Sequence, residues 1–448
     1  WKMGTPQKSE HLLMEAIGNQ KLAAERAVQH LSEIELFKFL QQFESDLHHY
    51  LSFAKIRHQM DAGFSSACYD IALFFRGFLL NSSNEIRRQI LRDTSLSRQA
   101  QHLVSLRRNL GSEYTKPMGD RDSLAILSLE SQANTLEKDL ARSIAGYGDA
   151  SRQVNWQEVQ AALKPGEASL EFVHFNYYTP DPTDSVIYSA LLLTPGTEQP
   201  LFIPLFEEKS LEGLLPQPGK NRSEFVSQLY QNEAITALVW SPIEPHLQGV
   251  KTVFYSLSGL LHRINLAALP IPTEGAILSD HYDMIALGST RQLVAGNSQA
   301  ATASPRHAKV FGAVQYEMDS TAIVAPTAND LANRTRGLSF SQADTTLRGG
   351  TWKYLKHSEK ETDSIYSMMQ KSGFQSDMHK RYDASEEVFK QLGAGKASPR
   401  ILHISTHGFF FPDPENRNEV RGMRDDEPVF KISDHPMIRS GLILAGAN

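Results

Sequence analysis

Near residue 165 the spacing of apolar residues changes period, which limits the chain to folds that join a helical region to sheets. Before that point apolar side chains recur at intervals of three and four. From Ile126 they fall at Leu129, Ala133, Leu136, Leu140 and Ile144, one stripe along a helix that Gly146 can end. Glu33 to Ala54 and Ala67 to Leu80 are similarly rich in Leu, Phe and Ala with few helix breakers, so residues 1 to about 150 are expected to form a helical layer. A last helix is predicted over Asn155 to Leu163, with Asn155 and Glu158 as a capping pair and Pro165-Gly166 as its stop.

Beyond residue 165 the runs shorten. Ala168 to Phe175, Val186 to Leu193 and Pro200 to Leu205 are β-rich and separated by Thr179-Pro180-Asp181-Pro182 and Pro195-Gly196, a pattern of antiparallel strands. A helix around Arg222 to Gln231, a strand at Lys251 to Ser256 and the turn Ser258-Gly259 complete an α/β region over residues 165–295. Ala295 to His307 is poor in large apolar residues and leads into a second α/β unit, residues 308–448. There a strand (Lys309 to Val314), a helix (Ser358 to Lys371, with a Ser358/Glu361 capping box), a strand (Phe374 to His379), a helix (Glu386 to Leu392) and a strand (Arg400 to Ser405) alternate, and Gly441 to Ala447 is expected as one more strand. That order predicts a parallel sheet. The connections Tyr316 to Trp352 and Phe411 to Met437 are long, and connections of that length are usually functional or mobile.

Composition narrows the function classes. A net charge of −6 and a pI near 6.3 give no basic footprint for nucleic acid. No run approaches eighteen apolar residues and the start has no basic, apolar leader, so neither a membrane span nor secretion is expected. A single cysteine forbids an internal disulfide, and a cytoplasmic protein without cofactor fits these features.

The chemistry is expected where Ile401-Leu402-His403-Ile404-Ser405-Thr406 runs into His407-Gly408, because catalysis in open α/β sheets collects at the carboxyl ends of strands. His407 sits at such an end, and Gly408 frees the backbone to approach a substrate. His403 and His407 do not make a metal pair: in a strand they share a face about 13 Å apart, at about 3.3 Å per residue. His403, inside the strand, reads as structural or supporting. Ser65-Ser66-Ala67-Cys68 opens an apolar helical run, so Cys68 reads as a core residue. Gly393-Ala394-Gly395-Lys396 lacks the spacing of a phosphate loop and reads as a turn. Ser405 and Ser440 lack the glycine elbow of a serine hydrolase. Arg417, Arg421 and Arg424 lie in a charged stretch that reads as a solvated loop and would suit cleavage by a related peptidase.

His403 to Phe410, with Arg439-Ser440-Gly441-Leu442-Ile443-Leu444-Ala445-Gly446-Ala447-Asn448 after it, resembles the CHAT domain, a caspase-like peptidase module. Val253 to Ser256 through Leu260 to Pro270, Ser289 to Leu293, and Phe311 to Tyr316 are similar to further segments of that family. The resemblance spans about residues 155 to 448. Trp1 to Ile17 is similar to the second half of a tetratricopeptide repeat, which places a repeat-like fragment at the head of a helical region over residues 1–164. The resemblance implies an α/β fold with a caspase-like double core, an inactive half over 165–295 and an active half over 308–448. It implies a cysteine endopeptidase acting on protein or peptide substrates, with His407 as the catalytic histidine and Gly408 as an oxyanion donor. His262-Arg263 would belong to the inactive half and be structural. The family's cysteine is expected beyond Asn448, on a C-terminal segment or a second chain, so these residues read as part of a longer protein. Gln315, Tyr316, Glu317 and Asp319 follow the first strand of the active half, and Tyr316 and Asp319 are the expected substrate-binding residues, with acidic groups suited to a basic side chain. A protein activator or regulator is expected at the helical region. The competing reading is a non-catalytic caspase-like scaffold that binds partners.

Overall fold

The computed structural model describes residues 6–57, 63–78, 82–83, 86, 89–90, 93–114, 122–144, 154–179, 181–216, 222–271, 275–294, 306–317, 352–392, 398–410 and 440–447. Two compact units form, one of residues 1–101 with 134–300 and one of residues 102–133 with 301–448.

In the first unit the helices α1 (Pro6–Val28), α2 (Glu33–Gln41), α3 (Glu44–Arg57) and α4 (Gly63–Phe75) precede a five-stranded sheet. The run from Glu33 to Ala54 is helical as expected, in two helices, the second of which starts at Glu44. Ser32 starts α2 with a reciprocal capping box: its hydroxyl accepts the Glu35 N–H at 3.3 Å and the Glu35 carboxylate accepts the Ser32 N–H at 3.2 Å. The two long helices α5 (Ser97–Tyr114) and α6 (Ser123–Ile144) follow in the chain, with their residues 102–114 and 123–133 counted in the second unit. Of the expected α6 stripe, Ala133, Leu140 and Ile144 are buried, and Ile126, Leu129 and Leu136 are half-buried. Helix α7 (Trp156–Ala162) carries the predicted cap, with Glu158 N–H donating to Asn155 at 2.9 Å and Asn155 N–H to Glu158 at 3.1 Å.

The strands β1 (Glu167–Tyr178), β2 (Pro182–Leu193), β3 (Leu201–Glu207), β4 (Thr252–Ser256) and β5 (Asp283–Ala286) lie in the order β3-β2-β1-β4-β5. β1 to β3 pair antiparallel, as their short spacing predicts, and β4 and β5 run parallel to β1. Side chains alternate across such a sheet, so two cores form. Ala168, Leu170 and Phe172 meet Ile235, Val239 and Trp240 on one face. Val173 and Phe175 meet Tyr50, Phe53, Phe64 and Cys68 on the other, which is the face the N-terminal helices cover.

Cys68 is wholly buried in α4, and burial pushes its thiol well above the ordinary range. Iodoacetamide should therefore label the folded chain at least about a hundredfold more slowly than the denatured one, since the thiolate is the nucleophile. Fast labelling that rises with pH would contradict this placement.

The same face holds a buried polar cluster. Glu171, in the middle of β1, has no exposed surface. Its carboxylate accepts from Arg76 Nη1 at 2.6 Å, Ser289 Oγ at 3.0 Å, Thr290 N at 2.6 Å and Thr290 Oγ1 at 2.8 Å. Arg76, just past α4, also donates to Ser256 Oγ at 2.8 Å and to the Phe172 carbonyl, so helix, sheet and the 289–290 turn share one set of bonds.

In the second unit β6 (His307–Val314), β7 (Gln375–Arg381) and β8 (Ile401–Ile404) form a parallel sheet in the order β7-β6-β8. Helix α12 (Ser358–Lys371) joins β6 to β7 and α13 (Glu386–Lys390) joins β7 to β8; α8 to α11 are the helices Glu208–Leu214, Arg222–Tyr230, Glu233–Val239 and Leu278–His281 of the first unit. The final expected strand is shorter than Gly441 to Ala447: β10 (Ser440–Leu442) pairs antiparallel with β9 (Gly408–Phe410) in a separate ribbon. From Ile443 on, the backbone is committed elsewhere, with Ala445 N–H donating to Ala384 O at 3.0 Å and Gly446 N–H to Gln315 O at 3.1 Å. Among the described residues no helix is long and apolar enough to cross a membrane.

Candidate active site

The carboxyl ends of β6 and β8 are stitched together by one hydroxyl. Ser358 Oγ accepts the Ala313 N–H at 2.9 Å and donates to the Ser405 carbonyl at 3.0 Å. This overturns its expected place in a capping box: α12 has His357 at its cap position without a side-chain bond, and buried Ser358 is used across the sheet. A buried N–H without a partner would cost about 1–3 kcal/mol, and Ala313 has one to satisfy because it bulges out of the β6–β7 ladder at φ 49°. Glu361, the other expected capping residue, instead accepts from Ser405 Oγ at 2.9 Å and lies 3.1 Å from His403 Nε2. Glu361 thus stands beside His403, which was read as structural or supporting, and the Ser405 hydroxyl is occupied.

His407 follows β8 by three residues and is half-buried. Its carbonyl accepts the Ile443 N–H at 2.9 Å, and Thr406 beside it donates to the Ile443 carbonyl, so the β9–β10 ribbon fixes the backbone at this point. Tyr316 follows the central strand β6. Its hydroxyl lies 2.9 Å from Thr406 Oγ1 and its ring centroid 5.2 Å from that of His407. With only 1 % of its surface exposed, Tyr316 underlies the histidine and offers almost nothing to a substrate, so the structure places it as a support where a substrate-binding residue was expected. Asp319 lies outside the described residues, as do Gly393 to Lys396 and Arg417 to Glu427.

On its other side the imidazole meets the segment that leads into α12. Trp352 has its ring centroid 5.2 Å from that of His407, and His407 Nε2 lies 2.8 Å from the Lys353 carbonyl. A carbonyl only accepts, so Nε2 carries the proton and Nδ1 is left as the basic nitrogen. Among the described residues none hydrogen-bonds Nδ1. Sequence reading missed Trp352 and Lys353; a lone aromatic at the end of a long connection was the one visible signal. Gly408 opens β9 and is exposed; a Cβ there would come 3.2 Å from the Gly441 carbonyl.

The strand ends of the first unit hold a different set of groups. His174 Nδ1 lies 2.6 Å from Ser258 Oγ, and Gly259 takes a φ of +54° where a Cβ would overlap the Tyr188 hydroxyl. Burial, then Arg76 nearby, hold the His174 pKa down to about 4. His262 and Arg263 stand on an exposed turn of 3-10 helix over Gly259–Arg263. No three of the described His, Cys, Asp and Glu side chains are grouped to hold a metal ion.

Residues 231–446 match the family model for the CHAT domain. No curated protein matches the chain. The match begins inside the first unit, ahead of β4, and covers the three parallel strands and the His-Gly turn of the second. With its mixed α/β architecture and helical N-terminal region, the chain carries a CHAT domain over residues 231–446, a domain that implies a caspase-like fold.

Proposed function

We propose that the chain is the histidine-bearing part of a cysteine endopeptidase that hydrolyses peptide bonds in protein substrates. The observation that carries this reading is the bond from His407 Nε2–H to the Lys353 carbonyl, which in the neutral imidazole makes Nδ1 the accepting nitrogen at the carboxyl end of a parallel strand. A base so held takes the proton of a thiol. The thiolate attacks the substrate carbonyl, the oxyanion is met by a backbone donor in the manner expected of Gly408, and the imidazolium returns the proton to the leaving amine. Water then hydrolyses the thioester.

Cys68 cannot be that thiol. It is wholly buried in the core between α4 and the sheet of the first unit, and it is the chain's sole cysteine. The nucleophile then comes from polypeptide outside these 448 residues. Among the described residues β8 has a partner on one edge, β6, and its second edge is a natural place for a strand that ends in the cysteine. A protein activator at the helical region belongs to the same proposal.

Substituting His407 by Ala in the polypeptide that carries the cysteine should lower peptide hydrolysis by about three orders of magnitude with little change in KM, the signature of a group acting only in the transition state. Equal cleavage by wild type and His407→Ala would remove the reading. Absence of cleavage by either would favour the second reading, a caspase-like binding scaffold, which the burial of the sole cysteine also supports.

A further inference from the structure

The Lys353 carbonyl that meets the imidazole sits outside regular structure: residues 352 to 355 belong to no helix or strand, and Lys353 and Tyr354 are exposed. Among the described residues, the next backbone bond downstream is from Ser358 N–H to the Leu355 carbonyl at 3.0 Å. The Tyr354 hydroxyl donates to Glu359 at 3.2 Å, but both groups are exposed, and a bond that competes with water at the surface constrains little.

Trp352 is different. It packs into the cluster of Phe311, Val314, Tyr316, Ala384 and Ile443, which is the core under the strand ends. Its ring also meets the imidazole directly, with centroids 5.2 Å apart at 42°. One side chain therefore does two things: it restrains the imidazole ring, and it pins the backbone whose next carbonyl accepts the Nε2 proton. Tyr316 shares only the first of these, because its own hydroxyl is turned to Thr406 and the His407 backbone.

We propose that Trp352 is the positioning residue of His407, the anchor that presents the Lys353 carbonyl and so keeps Nε2 protonated and Nδ1 basic. Its use in catalysis rests on the peptidase reading above, but the arrangement itself can be tested without a nucleophile.

The test follows the Nε2 proton by nuclear magnetic resonance in the intact chain labelled with 15N-histidine, the His407 signal being the one absent from His407→Gln. In the wild type this proton should be visible and protected from exchange with water. In Trp352→Phe, which keeps an aromatic anchor, protection should stay within about threefold, whereas in Trp352→Leu exchange should accelerate at least about tenfold, the scale of one net hydrogen bond. Tyr316→Phe should leave the signal in place. Far-UV circular dichroism and a cooperative melt establish that each variant is folded; if Trp352→Leu is not, Trp352→Met supplies the flexible apolar comparison. Unchanged protection in the aliphatic variant, or no protected Nε2 proton in the wild type, would overturn the proposal. The two readings fail separately: a Trp352-dependent signal in a protein whose cleavage ignores His407→Ala would leave the anchor standing and remove the peptidase.

Discussion

Arg76→Met should destabilise the first unit by about 3 kcal/mol, because it strands the Glu171 carboxylate in a site without solvent. Breaking a buried pair by deleting one partner typically costs about 3–5 kcal/mol; the lower end applies here because the Arg76 side chain is still 19 % exposed, while Glu171 keeps three donors from Ser289 and Thr290. For a unit of this size that is a fall of roughly 10 °C in melting temperature. Arg76→Met with Glu171→Leu should recover more than half of the loss, since the cost lies in the uncompensated charge and not in the absence of the pair. Thermal melts of the wild type, both single variants and the double variant make the comparison. A single variant as stable as the wild type would show that Glu171 is satisfied by the 289–290 turn alone.

The second large effect is expected at Gly312. A Cβ there would overlap Thr362 Oγ1 and come within 3.1 Å of Ser358 Oγ, so α12 lies on β6 as closely as a glycine permits. Gly312→Ala must push the helix away, and overpacking of this kind costs about 1–3 kcal/mol. Here the shift also pulls Ser358 from the Ala313 N–H and the Ser405 carbonyl, two residues short of His407, which adds about 1–3 kcal/mol for the buried donor left without a partner. A total of about 4 kcal/mol is enough to disorder a small parallel sheet. Adding Thr362→Ala removes the overlapping oxygen, leaving the contacts with Ser358 Oγ at 3.1 Å and the 362 Cβ at 3.2 Å, and should restore a large part of the stability. Denaturant unfolding of the wild type and the two variants decides it; no difference between Gly312→Ala and the wild type would mean the helix is free to shift.

The elements were legible because their signals are local. Asn155 with Glu158 and the Gly373 stop of α12 sit on the chain where they act, and the β-rich runs of β1 and β2 are near-continuously apolar because both of their faces are buried. Ser358 and Glu361 show where local reading stops: their spacing is that of a capping box, but a buried amide on β6 and the groups on β8 compete for them and win, because a buried partner is worth more than an exposed helix end. The position of His407 was visible from an apolar run ending in His-Gly. Its orientation was not, because the group that sets it is a main-chain carbonyl, which every residue has and which no side chain announces. Arg76 and Glu171, 95 positions apart, carry no mutual signal in one sequence either.

Tyr316 and Trp352 are 36 positions apart in sequence, and both ring centroids lie 5.2 Å from the imidazole, so the two are no more than twice that distance from each other. The stretch between them starts and finishes at the same histidine. Two aromatic rings far apart in sequence therefore bear on one imidazole, and their effects should not add: in a double-mutant cycle, changes at 316 and 352 should couple through the ring they share.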